Sequence, residues 1–298
     1  MDLRCLICGA PMRSFFSKRF HTPGLDTVDY WRCEACGFVM SKTHAEMTPA
    51  VWERVNYEQH ASYQGTDRDP ADPNWLVRLQ NQAAVLHDLQ QLGLLKRNGR
   101  WLDYACGDGK LADLLQTRYD LPLLKYERYL RRKEGYVHDE DLVPGSFDFV
   151  ITTSVFEHFI RREQFDLVES LVSERGVLGV HTLVCESVPA DPTWFYLCPV
   201  HCTFHTNRSM AVLFRQWGYT SSVYNVAAQL WIWFKNGPRD VETRVQRANG
   251  RPDGPFYVFK EGFVDYWKCS PLRRQRIRPE GGDTLATEGG TPRGGACP

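Results

Sequence analysis

The sequence predicts an α/β protein: a doubly wound, mostly parallel sheet preceded by a small cysteine-rich module. Three observations lead there. Strand-like and helix-like segments alternate from Trp101 onward, the pattern of a sheet covered by helices on both faces. The run Arg100-Trp-Leu-Asp-Tyr-Ala-Cys-Gly-Asp-Gly-Lys-Leu-Ala-Asp-Leu-Leu115 reads as a buried strand, a glycine turn and the start of a helix. Such a turn presents backbone N–H groups to a nucleotide-like ligand. Two Cys-x-x-Cys-Gly knuckles, Cys5/Cys8 and Cys33/Cys36, precede all of this.

Composition narrows the class. At 298 residues the chain has room for one large domain and a small module. Lys+Arg and Asp+Glu balance at 36 each, so no global field favours nucleic acid or an anionic membrane. No amino-terminal apolar stretch resembles a signal peptide, and no apolar run approaches the roughly 20 residues of a membrane span. Four of the ten cysteines form two tight pairs and the rest are scattered. That distribution leads to the expectation of a reducing, cytoplasmic setting and one metal site.

The first element is residues 1–45, read as a zinc ribbon. A two-residue spacer lets both thiolates of a knuckle point at one ion, and the following glycine permits the turn past the second. Two knuckles complete a tetrahedral site of Cys5, Cys8, Cys33 and Cys36, the closed coordination of structural Zn2+. The alternative is two unrelated pairs or a disulfide couple. Ser14-Phe-Phe16 and Asp29-Tyr-Trp31 supply the β-formers a ribbon needs. With four ligands no position stays open, so the ion acts as a staple for a segment too short to bury much apolar area. Residues 1–58 hold seven Lys/Arg and seven Asp/Glu, without the basic excess that would neutralise phosphates. Nucleic acid is therefore not the expected partner.

Residues 46–98 read as a helical connector or lid. Thr48-Pro49 starts a helix as a cap followed by a first-turn proline. Gly65 to Ala71 is a loop. Asp72-Pro73 opens a second helix reaching about Leu95, with Leu76, Leu79, Ala83, Leu86, Leu89 and Leu92 on one face. Tyr57, His60 and Tyr63 are candidates for a cover over a substrate, or ordinary aromatic packing. Residues 99–269 then form the main domain. After the strand and helix of the glycine turn, Leu121 to Glu127 is a second strand, its acid placed to accept hydrogen bonds from a ribose diol. A short segment from Gly135 to Leu142 follows, and only about seven residues separate Glu127 from this next candidate strand, so the usual intervening helix is cut short. Gly145 to Ser154 is a buried strand, Glu163 to Ser173 a helix and Gly176 to Glu186 a strand. A long loop from Val188 to Thr206 leads to helix Arg208 to Trp217. Gln229 to Lys235 and Phe256 to Lys260 read as a closing antiparallel pair. Residues 270–298, rich in Arg, Gly and Pro, read as a disordered tail.

The glycine spacing alone fits a dinucleotide or another ribose-bearing cofactor, since Ala112 is tolerated at the third position. Four features in order are more specific: Asp103-Tyr-Ala-Cys-Gly107-Asp-Gly109, the acid Glu127, Ser146-Phe-Asp148-Phe-Val-Ile, and Ser154-Val-Phe-Glu157-His158-Phe. Together they resemble class I S-adenosylmethionine-dependent methyltransferases over about residues 99–235. Pro199-Val-His201-Cys-Thr-Phe204-His205-Thr206 and Trp217-Gly-Tyr219 are similar to the subgroup acting on small molecules, including sugars and natural-product scaffolds. A four-cysteine ribbon ahead of the domain resembles some deoxysugar methyltransferases.

The resemblance implies a Rossmann-like, doubly wound, mostly parallel seven-stranded methyltransferase sheet with S-adenosyl-L-methionine as cofactor and a small molecule as acceptor. It implies that Asp103, Ala105, Gly107 and Gly109 line the methionine end and that Glu127 holds the ribose diol. Asp139 or Asp141 meets the adenine, and Thr153 and Ser154 border the methyl-transfer channel. Ala105 departs from the pattern by replacing the first glycine, so a Cβ must be accommodated there. For a hydroxyl acceptor a base is needed, and His201 and His205 are the candidates in the loop, with His158 beside them. Glu157-His158 sits at the pocket edge or caps the next helix. A second metal site from Cys198, His201, Cys202 and His205 is the alternative for that loop. Trp194, Phe195 and Tyr196 suggest an apolar wall for the acceptor, whereas Trp231-Ile-Trp233-Phe234 reads as core. The competing functions are an RNA methyltransferase, a ribbon-led interaction protein with a worn cofactor fold, and a redox enzyme using NAD.

Overall fold

The computed structural model describes residues 3–22, 24–61, 74–129 and 134–265. The expected loop Gly65–Ala71, the helix start Asp72-Pro73, Tyr63, the side chain of His60 and the 270–298 tail lie outside the described residues.

The cysteine knuckles open the chain and close on themselves. Strands β1 (Met12–Thr22) and β2 (Leu25–Cys33) form a long antiparallel hairpin, and β3 (Val39–Ser41) follows the second knuckle. The short helix α1 (Lys42–Ala45) is capped by Ser41, whose side chain accepts from the His44 N–H. Helix α2 (Pro49–Ala61) begins at the expected proline, and α3 (Trp75–Gln91) buries Leu79, Ala83, Leu86 and Leu89 as their spacing demands.

The main sheet begins at β4 (Trp101–Tyr104), which passes through the glycine turn into α4 (Lys110–Tyr119). It continues through β5 (Leu124–Tyr126), β6 (Phe147–Thr153), α5 (Arg162–Leu171) and β7 (Val172–His181). The two-residue strand β8 (Val184–Cys185), then β9 (Thr203–Thr206) and α6 (Asn207–Gln216), lead to β10 (Ser221–Asn225), β11 (Leu230–Phe234), α7 (Pro238–Asn249) and β12 (Tyr257–Glu261). The order is β12-β10-β11-β7-β6-β4-β5 in a seven-stranded sheet. Helices α3, α4 and α7 pack one face through Leu86, Leu115 and Val245. Helices α5 and α6 pack the other through Phe165, Val168 and Phe214, and that core runs on into Ile7, Phe38 and Met40 of the cysteine module.

Several expectations are corrected. The sheet is evenly mixed rather than mostly parallel: β5, β4, β6 and β7 pair in parallel, and β11, β10 and β12 join antiparallel. The two late apolar runs are not partners, because β10 lies between them and pairs with both. Helix α7 was not expected, although Gly237-Pro238 is a usable start signal. The loop from Val188 to Thr206 ends in strand β9, whose Thr203 and Phe204 pair with Met40 and Val39 of β3. The cysteine hairpin is thereby one half of a second, five-stranded sheet, in the order β1-β2-β3-β9-β8.

Candidate active site

The glycine turn sits where parallel β4 and β5 end. Gly109 adopts φ +73 at the start of α4, and a Cβ there would lie 2.3 Å from Lys125 Cδ and 3.1 Å from the Tyr136 hydroxyl. Gly107, at φ +55, donates its N–H to Glu127 Oε2 at 2.9 Å and accepts at its carbonyl from the Tyr136 hydroxyl at 3.0 Å. The other Glu127 oxygen accepts from the Tyr129 N–H at 3.1 Å. Burial pushes the Glu127 carboxyl up, and these backbone N–H bonds counter part of the effect. Ala105 also has positive φ, at 59°, a conformation that costs an L-residue about 1–2 kcal/mol.

Asp103 is 1% exposed, and its Oδ1 has no hydrogen-bond partner among the described residues. Burial first, and then the Glu127 charge, push its carboxyl up to about 8. A buried acceptor without a donor is costly, and a cationic ligand group laid over the turn would satisfy it. With Glu127 beside it and a cradle that a Cβ would fill, the turn fits a cofactor with an amino-acid end and a ribose.

Asp139 and Asp141 lie in one 3-10 turn, Asp139–Asp141. Asp139 Oδ1 accepts from the Tyr126 hydroxyl at 2.7 Å, and Asp141 Oδ2 accepts from the His138 N–H at 2.9 Å. Thr153 closes β6, and Ser154 follows with φ 58 and its N–H on the His181 carbonyl at 2.9 Å.

That bond leads to a second cluster. Thr182, next after His181, donates its hydroxyl to Glu157 Oε2 at 2.9 Å, and the Tyr196 hydroxyl donates to Glu157 Oε1 at 2.6 Å. Glu157 is 1% exposed. His201 faces this carboxylate, with Nδ1 bonded to the Tyr196 carbonyl at 2.8 Å and its ring 5.1 Å from the His158 ring, edge to face. Ligand atoms of Glu157, His158 and His201 all fall within 4.8 Å of one another. Burial disfavours a charged His201, but the Cys198 thiolate, its hydrogen bond to the ring and the Glu157 carboxylate outweigh it, lifting the imidazole to about 9. Burial likewise opposes ionisation of Cys198, and His201 overcomes it and lowers the thiol.

Thr182 and His181 are members of this region that sequence reasoning missed, and Cys198, expected as a metal ligand, lies against His201 instead. No local pattern marks them; tertiary packing brings them in. Tyr196, expected as a wall, is instead a hydroxyl donor, and of its neighbours Trp194 is buried and Phe195 is 58% exposed. Tyr57, from the expected cover, is 59% exposed.

His205 lies elsewhere. It is fully buried, its ring 5.1 Å from Phe38, 5.9 Å from Phe156 and 5.7 Å from Phe165, and neither nitrogen has a partner among the described residues. Burial holds its pKa at about 3. Cys202 Sγ points at the Glu157 carbonyl at 3.3 Å. The grouping the fold makes is therefore Glu157, His158 and His201, not the Cys198, His201, Cys202 and His205 set.

At the other end, Cys5 and Cys36 Sγ are 3.6 Å apart and Cys8 and Cys33 Sγ 3.4 Å. All four are free thiols within 4.8 Å of one another. Gly9 and Gly37, both at φ +73, donate N–H to the Cys5 and Cys33 carbonyls at 2.9 Å and close each knuckle. Four thiolates about 2.3 Å from a tetrahedral zinc sit roughly 3.8 Å apart, so this donor set fits that ion.

Residues 77–222 match a family described as a methyltransferase domain. The chain carries a methyltransferase domain. The glycine turn, Glu127 and the Glu157 cluster all fall inside the matched span, and the protein is a methyltransferase. No curated protein matches the methyltransferase in sequence. Among solved structures it is similar to a possible histamine N-methyltransferase of Thermotoga maritima, at 16% identity and TM-score 0.32, over 62% of this chain and 98% of that one. It is similar to the plantazolicin methyltransferase BpumL at 13% identity and TM-score 0.43, over 73% and 94%. It is also similar to the magnesium protoporphyrin IX methyltransferase of Synechocystis PCC 6803 at 12% identity and TM-score 0.38, over 63% and 97%.

Proposed function

We propose that the enzyme methylates a hydroxyl of a small molecule, a sugar or secondary metabolite, with His201 as general base. The observation that carries this is the buried Glu157–Tyr196–His201 cluster, one hydrogen bond removed from Ser154 at the end of β6. Asp103, Ala105, Gly107 and Gly109 hold the methionine end of the cofactor, Glu127 the ribose, Asp139 the adenine edge, and Thr153 and Ser154 border the channel. Bound there, S-adenosylmethionine supplies an electrophilic methyl group on a sulfonium. The protein aligns the acceptor oxygen with it and takes up the hydroxyl proton. His201 donates Nδ1–H to the Tyr196 carbonyl, which fixes the ring, and it takes up the proton from its neutral form, the form gained as the pH rises toward about 9. Glu157 lies against the imidazolium that forms, and the Thr182 and Tyr196 hydroxyls hold its carboxyl group in place. His205, sealed among aromatic rings, takes no part.

Cys5, Cys8, Cys33 and Cys36 hold one structural Zn2+ in a ribbon over residues 1–45, and residues 99–269 form the catalytic domain behind the 46–98 connector. A second reading of the cluster has one observation behind it: the two imidazoles and carboxylate of Glu157, His158 and His201 lie close enough to take a divalent cation. Calorimetric titration of the zinc-loaded protein with S-adenosylhomocysteine, beside NADH, tests the main reading. Micromolar binding of the former alone is expected; binding of NADH alone, or of neither, refutes it. Labelled methyl transfer to a panel of sugars and polyols then identifies the acceptor.

A further inference from the structure

We infer that the cysteine module is a working part of the acceptor side of the site, with Lys18, Ser41 and His44 positioning the segment that carries Tyr196, Cys198 and His201. The inference rests on the acceptor lying beside Glu157 and His201, as proposed above.

Between β8 and β9 the chain runs through turns, so its carbonyls need partners from elsewhere. Three come from the module. Lys18 Nζ, on the hairpin, donates to the Leu197 carbonyl at 2.9 Å. His44 Nε2 is 2.9 Å from the Pro199 carbonyl. The Ser41 N–H donates to the Cys202 carbonyl at 2.7 Å. Of the residues interleaved with these anchors, Tyr196 and His201 gather round Glu157 and Cys198 lies against His201. The segment is therefore pinned at 197, 199 and 202 by one part of the chain while it serves the other at 196, 198 and 201.

The anchors are built to persist. A carbonyl only accepts, so His44 Nε2 carries a proton, and Nδ1 accepts from the Ser41 hydroxyl at 2.7 Å. The ring is buried and edge-on to Trp52 at 5.3 Å, and burial holds its pKa at about 4. Near neutral pH it is uncharged, with this tautomer. Lys18 is steadied by the Phe20 ring, 4.9 Å from its ammonium. The module itself cannot drift, because Arg162 of α5 donates to the Leu6 and Ile7 carbonyls at 3.2 and 3.1 Å, and Gln216 of α6 to Ile7 at 3.0 Å.

The test uses the full chain with Lys18→Met, Lys18→Arg and His44→Phe. It reads amide hydrogen exchange over residues 195–202, alkylation of Cys198 by iodoacetamide, and S-adenosylhomocysteine affinity. Lys18→Met and His44→Phe should each speed exchange in 195–202 at least about tenfold, the loss of one anchoring hydrogen bond to a charged or buried donor. Each should also change the Cys198 alkylation rate several-fold, with cofactor-product affinity within about twofold of the parent. Lys18→Arg, which keeps a donor, should restore the parent values. Unchanged exchange and alkylation in both Lys18→Met and His44→Phe overturns the inference, as does a parallel loss of S-adenosylhomocysteine binding. A parent protein that fails to bind S-adenosylhomocysteine sinks the proposed function instead, and the exchange result still stands or falls by itself.

Discussion

Replacing His205 by leucine should stabilise the enzyme, and more so in mild acid. The ring is fully buried among Phe38, Phe156 and Phe165, with both nitrogens unbonded. Removing polar atoms that were desolvated without partners is worth about 1–2 kcal/mol near pH 7.5. Leucine, close in volume, avoids overpacking. The pH term adds to this. Burial depresses the native pKa to about 3, against about 6.5 unfolded. Below pH 6.5 the unfolded chain takes up a proton that the native state refuses, so stability falls with pH through that window. At pH 5 the difference amounts to about 2 kcal/mol from 1.36 kcal/mol per pH unit. The gap between variant and parent should then grow from about 1–2 to about 3–4 kcal/mol. Urea unfolding of both proteins at the two pH values measures it, and groups common to both, such as His44, cancel. A gap that does not change with pH would mean that His205 ionises freely, refuting the sealed-ring argument. Loss of methyl transfer with intact S-adenosylhomocysteine binding would return His205 to the catalytic set.

Three further outcomes are expected. Cys198→Ser removes the thiolate that helps lift His201 to about 9, so the ring should titrate about 1–2 pH units lower; imidazole proton signals followed against pH give the value, and the rise of the rate with pH, which needs the neutral ring, should move down with it. Gly109→Ala forces a Cβ to within 2.3 Å of Lys125 Cδ at φ +73; a strain of about 1–2 kcal/mol should cost roughly tenfold in S-adenosylhomocysteine affinity by calorimetry, with the circular dichroism spectrum unchanged. Elemental analysis of the purified protein should find one zinc per chain, lost in Cys33→Ser together with several degrees of melting temperature; two metal ions per chain would instead favour a cation at Glu157, His158 and His201.

What could be read from the chain depended on how local the cause was. The knuckles and the glycine turn are set by spacing within a few residues, and they fold where expected. Strand β10 escaped notice because Ser221-Ser-Val-Tyr-Asn neither alternates nor runs apolar. It is buried on both faces, and Ser222 is satisfied by donating to the Gly262 carbonyl and accepting from the Val264 N–H, each at 2.7 Å. Those partners lie some forty residues downstream. Glu157-His158 could be singled out by its place after the Phe-Asp strand, but its Thr182 and Tyr196 partners come only with the packed fold. His201 and His205 looked equivalent in one loop. The onset of β9 separates them, leaving His201 at the Glu157 cluster and drawing His205 into the aromatic core.

The seam between β3 and β9 also has a consequence for synthesis. Ser41 and Thr203 are separated by roughly 160 residues, which a ribosome making about 5–20 residues per second needs about 10–30 s to cover. Through that interval both knuckles are already outside the ribosome and able to take up metal, while β3 presents a bare edge. An unpaired edge is an invitation to the wrong strand, so closure of the hairpin and its two knuckles is the early event available to keep this edge in order until its partner is made.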